Sequence, residues 1–344
     1  MKAEFSQKFK YLGFFMTCGM VFFHCPIIDS IAALGPLDFY GKVAFDSMVR
    51  NSVDLLMSYF FAVTGFLFFR DFSMKQYPVK IKNRIFSLLT PFVLWQAIFA
   101  VFDTVFKYET ISFAEFLRRT FLLERWPVDA ALWYVYGVFL LALLSPVVYL
   151  IIKRKNLAWC IIIAIMLLST ARDKIDVPAF KAVLHYGYVE NIVHFFPAYF
   201  AGAFYGYHYK DGEASCLIYL VLAVLVSFLL IGMIDNLFFV ISLRMLPIAL
   251  IYLLPPIRLL ENRKVYKLSF IMYALHQPLI WKLSPFVLDF YTNYVFRIIP
   301  SASVAAVLSR LIFLGIDIGL AALIYSLFSM LSPRFLAMLT GGRS

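Results

Sequence analysis

The chain has 344 residues, 63% of them hydrophobic and 15% charged, with a formal net charge of +11. A soluble domain is about 45–50% apolar, so no soluble core accounts for this sequence, and its recurring apolar runs of near ~20 residues have the length of membrane-crossing helices. In a soluble protein the excess of basic residues would suggest nucleic acid; here they sit mainly in alternate segments between apolar runs, which is a topology signal, and no nucleic-acid partner is expected.

In chain order the runs predict spans at 8–28, 51–70, 86–106, 130–152, 157–171, 191–208, 214–234, 236–257, 266–288 and 303–331. The expected fold is all-α: one polytopic domain over 1–344, core 8–331, with about ten transmembrane helices. The first run is followed by "HCPIIDS" and no small-residue cleavage pattern, so it reads as a retained span. Basic residues cluster at Arg70, Lys75, Lys80, Lys82 and Arg84, at Lys153, Arg154 and Lys155, and at Arg258, Arg263, Lys264 and Lys267. The intervening segments carry Glu109, Glu115, Glu124, Asp129, Asp173 and Asp176. Excess of Lys and Arg on the cytoplasmic side puts both ends of a ten-span chain in the cytoplasm. Small-xxx-small pairs occur at Gly202/Gly206 and Gly315/Gly319; they permit close helix contact but also arise by chance in helices rich in small residues. The four cysteines (Cys18, Cys25, Cys160, Cys216) form no CxxC, so free thiols and no metal site are expected.

Ionisable side chains inside a span cost about 2.5–3.5 kcal/mol on insertion scales and usually mark function. His24 lies near the end of the first span, in "MTCGMVFFHCP", and His276 about halfway along the ninth, in "YALHQPLIW". Arg244 and Asp317 are charged outright. His194 and His208 stand at span ends, where a packing role is the simpler reading, and His185 falls in a loop. At ~100° per residue Lys10, Gly13, Thr17, Met20 and His24 share one stripe, with Gly13 about 16 Å from His24. Such a stripe suits a tunnel from a cytoplasmic donor to an outer acceptor, and equally a helix whose first lysine reaches for lipid headgroups.

Several stretches, in order, resemble the acyltransferase 3 family of integral-membrane O-acyltransferases, which modify bacterial surface glycans. "GMVFFH" resembles the end of the family's first-helix motif, an arginine followed by a histidine. "LLMSYFFAVTGFLFF" (55–69) resembles an aromatic run leading to Ser-Gly-Phe-Leu, with Thr64 for the serine. "KIKNRIFSLLTPFVLW" (80–95) resembles the basic entry to helix three. "LWYVYGVFLLALLSPVV" (132–148), "YFAGAFYGY" (199–207) and "LSFIMYALHQPLI" (268–280) resemble three further motifs. Departures are equally specific. Gly13 stands where the motif arginine falls, Ser87 replaces a second arginine, and Asp54, rather than Arg50, aligns with a third.

The resemblance implies a bacterial inner-membrane enzyme that moves an acetyl or succinyl group from cytoplasmic acyl-CoA to a sugar hydroxyl of a glycan or lipid-linked sugar. It also implies polysaccharide synthesis or export proteins as partners in the bilayer. A sugar hydroxyl is a weak nucleophile, and a histidine taking its proton contributes typically ~10²–10⁴-fold; His24 is the expected base. Arg84, Lys80 and Lys82 are the expected phosphate ligands of CoA, and Trp133, Tyr134, Tyr273 and His276 the expected lining of the acceptor pocket. The competing readings are a glycan exporter or flippase and a non-catalytic assembly partner.

Overall fold

The computed structural model describes residues 3–24, 39–123, 125–171, 178, 186–209, 237–254, 257–261, 263–290, 293–294, 298 and 302–343. Every regular element among them is helical. The expected span 214–234, with Cys216, and residues Cys25 and His185 lie outside the described residues; each other expected span overlaps one or more described helices. On length and composition three described helical stretches suffice to cross a membrane: Ser52–Phe69, Met74–Val105 and Val307–Leu331. A fourth is added if the pair Ala130–Leu143 and Ser145–Ile152, bent by 63°, is one span. The chain is an all-α membrane protein.

Helix α1 is Ala3–Phe23 and α2 is Phe39–Phe69. The third stretch is composite. Helix α3 (Tyr77–Arg84) passes into a π turn over Ile85–Leu89 and then α4 (Thr90–Val105). The widening has a local cause: Pro91 has no N–H to return to Ser87 in α register. The backbone N–H of Thr90 bonds Ile85 O instead, and the Thr90 hydroxyl joins it at 3.1 Å. Helix α5 (Phe113–Phe121) is a short amphipathic helix whose first turn is capped by Ser112, which accepts from the N–H of Glu115. Helices α6 (Trp133–Leu143) and α7 (Ser145–Ile152) meet at the 63° bend, where Pro146 cannot continue the helix. Then follow α8 (Lys155–Ala171), α9 (Val189–His208), α10 (Leu237–Leu253), α11 (Ser269–Phe290), α12 (Ala302–Leu331) and α13 (Pro333–Thr340).

In lipid, helix association gains nothing from leaving water, so close packing and polar links hold the bundle. The tightest seam is α2 against α9. Gly65 lies on Tyr199, Gly202 on Ala62 and Gly206 on Phe66, and a Cβ at any of the three would overlap a backbone carbonyl oxygen. The Gly202/Gly206 pair is therefore a true contact motif. The Gly315/Gly319 pair is not one among the described residues, where a Cβ at either would meet nothing within 4 Å. Fully buried Phe61, Phe66, Phe69, Tyr199 and Phe200 fill the space beside the seam.

Polar links account for several charges inside the bundle. Lys8 donates to Ile251 O at 3.0 Å, tying α1 to α10. Arg244 of α10 donates to Ser169 of α8 and to His194 Nδ1 of α9 (3.2 Å). His194 is thereby set to donate from Nε2 to Asp54 of α2, 3.1 Å away. His208 Nε2 donates to Ile152 O at 2.6 Å. These residues work as struts between helices.

Candidate active site

His24 extends α1 by one hydrogen bond, its N–H reaching Met20 O at 2.9 Å. Its ring lies parallel to that of His276, with centroids 5.3 Å apart and planes at 14°, and His24 Nδ1 is 3.1 Å from His276 Nε2. His276 is 1% exposed, and its Nδ1 is 2.7 Å from the carbonyl oxygen of Tyr273. That carbonyl can only accept, so His276 carries its proton on Nδ1 and presents a lone pair at Nε2. His24 Nδ1–H donates to that lone pair. For two neutral rings this is the arrangement that satisfies both bonds, and it leaves His24 Nε2 bare: a proton acceptor held in one orientation by its neighbour.

A cavity of about 720 Å³ approaches the pair from the basic end of the bundle. Lys10, Arg84, Arg263, Lys264, Lys267 and Arg343 line it, and among the described residues no Asp or Glu does. It reaches Thr17, two turns from His24 along α1, and Tyr273, one turn from His276 along α11. Tyr134, on its wall, donates to Phe60 O at 2.9 Å and so accepts from the Thr64 hydroxyl at 2.7 Å. The threonine that replaces the motif serine thus keeps a hydroxyl's work. Gly13 opens on the same cavity, with nothing within 4 Å of where a Cβ would stand. Arg343 is exposed to the cavity though enclosed by protein. Burial, and Arg84 beside it, bring its pKa down to about 10, which leaves it cationic at neutral pH.

A second cavity, of about 330 Å³, lies further along α11. Gln277 and Pro278, the residues after His276, line it together with Trp126 and Trp281 and two ion pairs, Arg119–Glu109 (2.9 Å) and Lys282–Asp103. Along α11 the order is Tyr273 in the first cavity, His276 in the pair, Gln277 in the second cavity. Above the site, Tyr273 donates to Ala131 O at 2.7 Å, and Gln96 bonds both backbone groups of Asp129 at 2.9 and 3.3 Å. The loop entering α6 is thereby fixed to α4 and α11. Asp129 is fully buried, and burial pushes its carboxyl well above the usual carboxylate range.

The expected site residues are distributed unevenly. His24 and His276 meet; Arg84 lines the cationic cavity, as do Tyr134 and Tyr273. Lys80 turns the other way, donating to Phe68 O (2.5 Å) and Arg70 O (3.1 Å) at the end of α2. Lys82 is exposed and outside both linings, and Trp133 packs in the core between Phe61 and Phe195. Lys10, Arg263, Lys264 and Lys267 read in the sequence as topology or headgroup charges, and only the cavity reveals a shared destination. Asp317 is 2% exposed in α12 and lines neither cavity.

The family model described as an acyltransferase domain matches residues 10–332. Among curated proteins, the succinoglycan biosynthesis protein ExoH of Rhizobium meliloti (strain 1021) is 25% identical over 173 residues, which is 45% of this chain and 45% of that protein. The chain thus aligns with less than half the length of this relative. No solved structure matches the chain.

Proposed function

We propose, from the premise that this chain belongs to the acyltransferase domain family, that it transfers a short acyl group from acyl-CoA to a sugar hydroxyl of a cell-surface glycan. The observation that carries the reading is a hydrogen-bonded histidine pair whose His276 stands on α11 between Tyr273, on the wall of a cationic cavity, and Gln277, on the wall of a tryptophan-lined one. The first suits the phosphates of CoA, because six cations, with no carboxylate among the described lining residues, favour a polyanion. The second suits a sugar, whose C–H faces stack on indole rings while Gln277 and the ion-paired carboxylates offer hydrogen bonds. The relative's printed role in succinoglycan biosynthesis agrees with a polysaccharide acceptor.

In this reading the acceptor oxygen attacks the thioester carbonyl carbon as His24 Nε2 takes its proton. The His24 imidazolium keeps its Nδ1–H bond to His276, which stays neutral on the Tyr273 carbonyl. The tetrahedral intermediate then collapses, the C–S bond breaks, and His24 returns the proton to the departing thiolate. The donor group is acetyl or succinyl. The chain crosses the bacterial inner membrane ten times with both ends in the cytoplasm, so that the cationic cavity opens toward cytoplasmic acyl-CoA and the tryptophan-lined one toward the outer face. Polysaccharide synthesis or export proteins are its partners.

Mass spectrometry of surface polysaccharide from cells with and without the protein tests this. Loss of an acyl mass from an otherwise intact polymer is expected. Disappearance of the whole polymer from the surface would make the protein an exporter instead.

A further inference from the structure

The segment after α13 reaches the cationic cavity by an unusual route. Helix α13 is held to α4 by Trp95, whose Nε1–H donates to Leu339 O at 3.1 Å. It ends in Gly341 at φ +62° and Gly342 at φ +75°, left-handed conformations suited to glycine. The N–H of Gly342 bonds Ala337 O at 2.7 Å, the Schellman closure of a helix end. Gly341 lies so close to the π turn that a Cβ would overlap the carbonyl oxygen of Ser87. Both glycines are therefore required, one for contact and both for conformation, and the turn they make directs Arg343 into the cavity. There the guanidinium stands over the Phe270 ring at 4.7 Å and donates one bond to Thr340 O at 3.1 Å.

Arg84 reaches the same space from α3, its guanidinium 5.4 Å from the Phe68 ring. Two guanidinium groups thus share a cavity on whose wall no carboxylate stands among the described residues. Like charges brought together this way repel unless an anion joins them. Two of the three positions where this chain departs from an arginine of the family pattern bear on this same region. Gly13 lines the cavity and is empty of side chain, and Ser87 is the residue on which Gly341 packs. Arg343 itself lies beyond the matched region 10–332.

We propose that Arg343, delivered by the Gly341–Gly342 turn against the π turn, pairs with Arg84 to bind the phosphate groups of CoA, supplying the cation that the family pattern places at positions 13 and 87. The proposal rests on the reading of this cavity as the acyl-CoA site. Its ligand chemistry is a phosphate dianion or diphosphate held by two planar donors.

The test measures binding of CoA, and of pantetheine, which lacks the phosphates, to purified protein in phosphatidylcholine nanodiscs, where no anionic lipid competes. Arg343→Gln weakens CoA about 10- to 100-fold, the range of a lost charge-assisted hydrogen bond, and leaves pantetheine and the melting temperature unchanged. Arg343→Lys recovers part. Gly341→Ala, which leaves the arginine in place but obstructs its turn, weakens CoA in the same direction. Unchanged CoA affinity in Arg343→Gln overturns the proposal, as does equal loss of CoA and pantetheine, which would make the residue a structural prop. If the unaltered protein binds no CoA, the donor-site reading itself fails. If adding anionic lipid abolishes CoA binding only when Arg343 is present, the residue is a headgroup ligand and the proposal also falls.

Discussion

His24 and His276 are 252 positions apart in sequence and one hydrogen bond apart in space. In the proposed reaction that bond makes His276 a positioning residue, and its removal has a signature. His276→Phe keeps an aromatic ring but offers His24 no acceptor, so kcat should fall about 10- to 100-fold, part of a general base's ~10²–10⁴-fold worth. KM for acyl-CoA should hold, and the pH profile of kcat/KM should move. In His276→Gln the amide oxygen accepts from His24 and the amide nitrogen donates to Tyr273 O, so most activity should remain. Equal losses in both variants, tracking protein yield, would reduce His276 to packing. Gly13 offers a converse experiment. Since nothing fills the space at its Cβ, Gly13→Arg should fold normally and tighten CoA about tenfold or more; unchanged affinity would detach position 13 from the donor site. At this scale the sequence exposed each histidine as an ionisable group in an apolar run. It could not reveal their meeting, which depends on how α1 and α11 pack. Arg343 had only the Gly-Gly before it as a signal, and Lys80 gave no hint that it would cap α2 rather than face the cavity.

Among elements, the α2–α9 seam is the part of the fold most open to a single-atom test. Gly202→Ala forces a methyl group into the Ala62 carbonyl and should destabilise by about 1–3 kcal/mol, the cost of overpacking. Gly315→Ala meets open space and should be neutral or stabilising by up to ~1 kcal/mol, as the residue prefers helix. Thermal unfolding of the two variants in detergent separates them, and equal loss in both would dismiss the seam. The sequence pattern is the same at both sites; what differs is whether another backbone lies opposite, which no local pattern encodes. Helix positions were legible from apolar runs, because lipid demands continuous helices. The π turn was less so: Pro91 announced an interruption, but its form depends on how the Thr90 N–H and hydroxyl divide the Ile85 carbonyl.

For the whole molecule, the proposed orientation rests on the alternation of charged segments, and the proposed reaction needs the cationic cavity on the inside. A membrane-impermeant thiol reagent applied to intact cells should label Glu115→Cys, on α5, and spare Lys75→Cys and Lys264→Cys. The reverse accessibility would turn both cavities the wrong way for the proposed donor and acceptor. Family membership was legible because its motifs survive in order along the chain, whereas the contact of His24 with His276, and the placing of Tyr273 and Gln277 on two different cavities to either side of it in α11, required the assembled bundle. The proposed reaction stands on His24 as the proton acceptor, and the rate of acyl transfer by purified His24→Gln decides that role. Glutamine keeps similar bulk and hydrogen bonding but cannot take a proton at neutral pH. The account predicts a fall of at least ~10²-fold with CoA affinity and melting temperature unchanged; a fully active variant would remove His24 from the reaction.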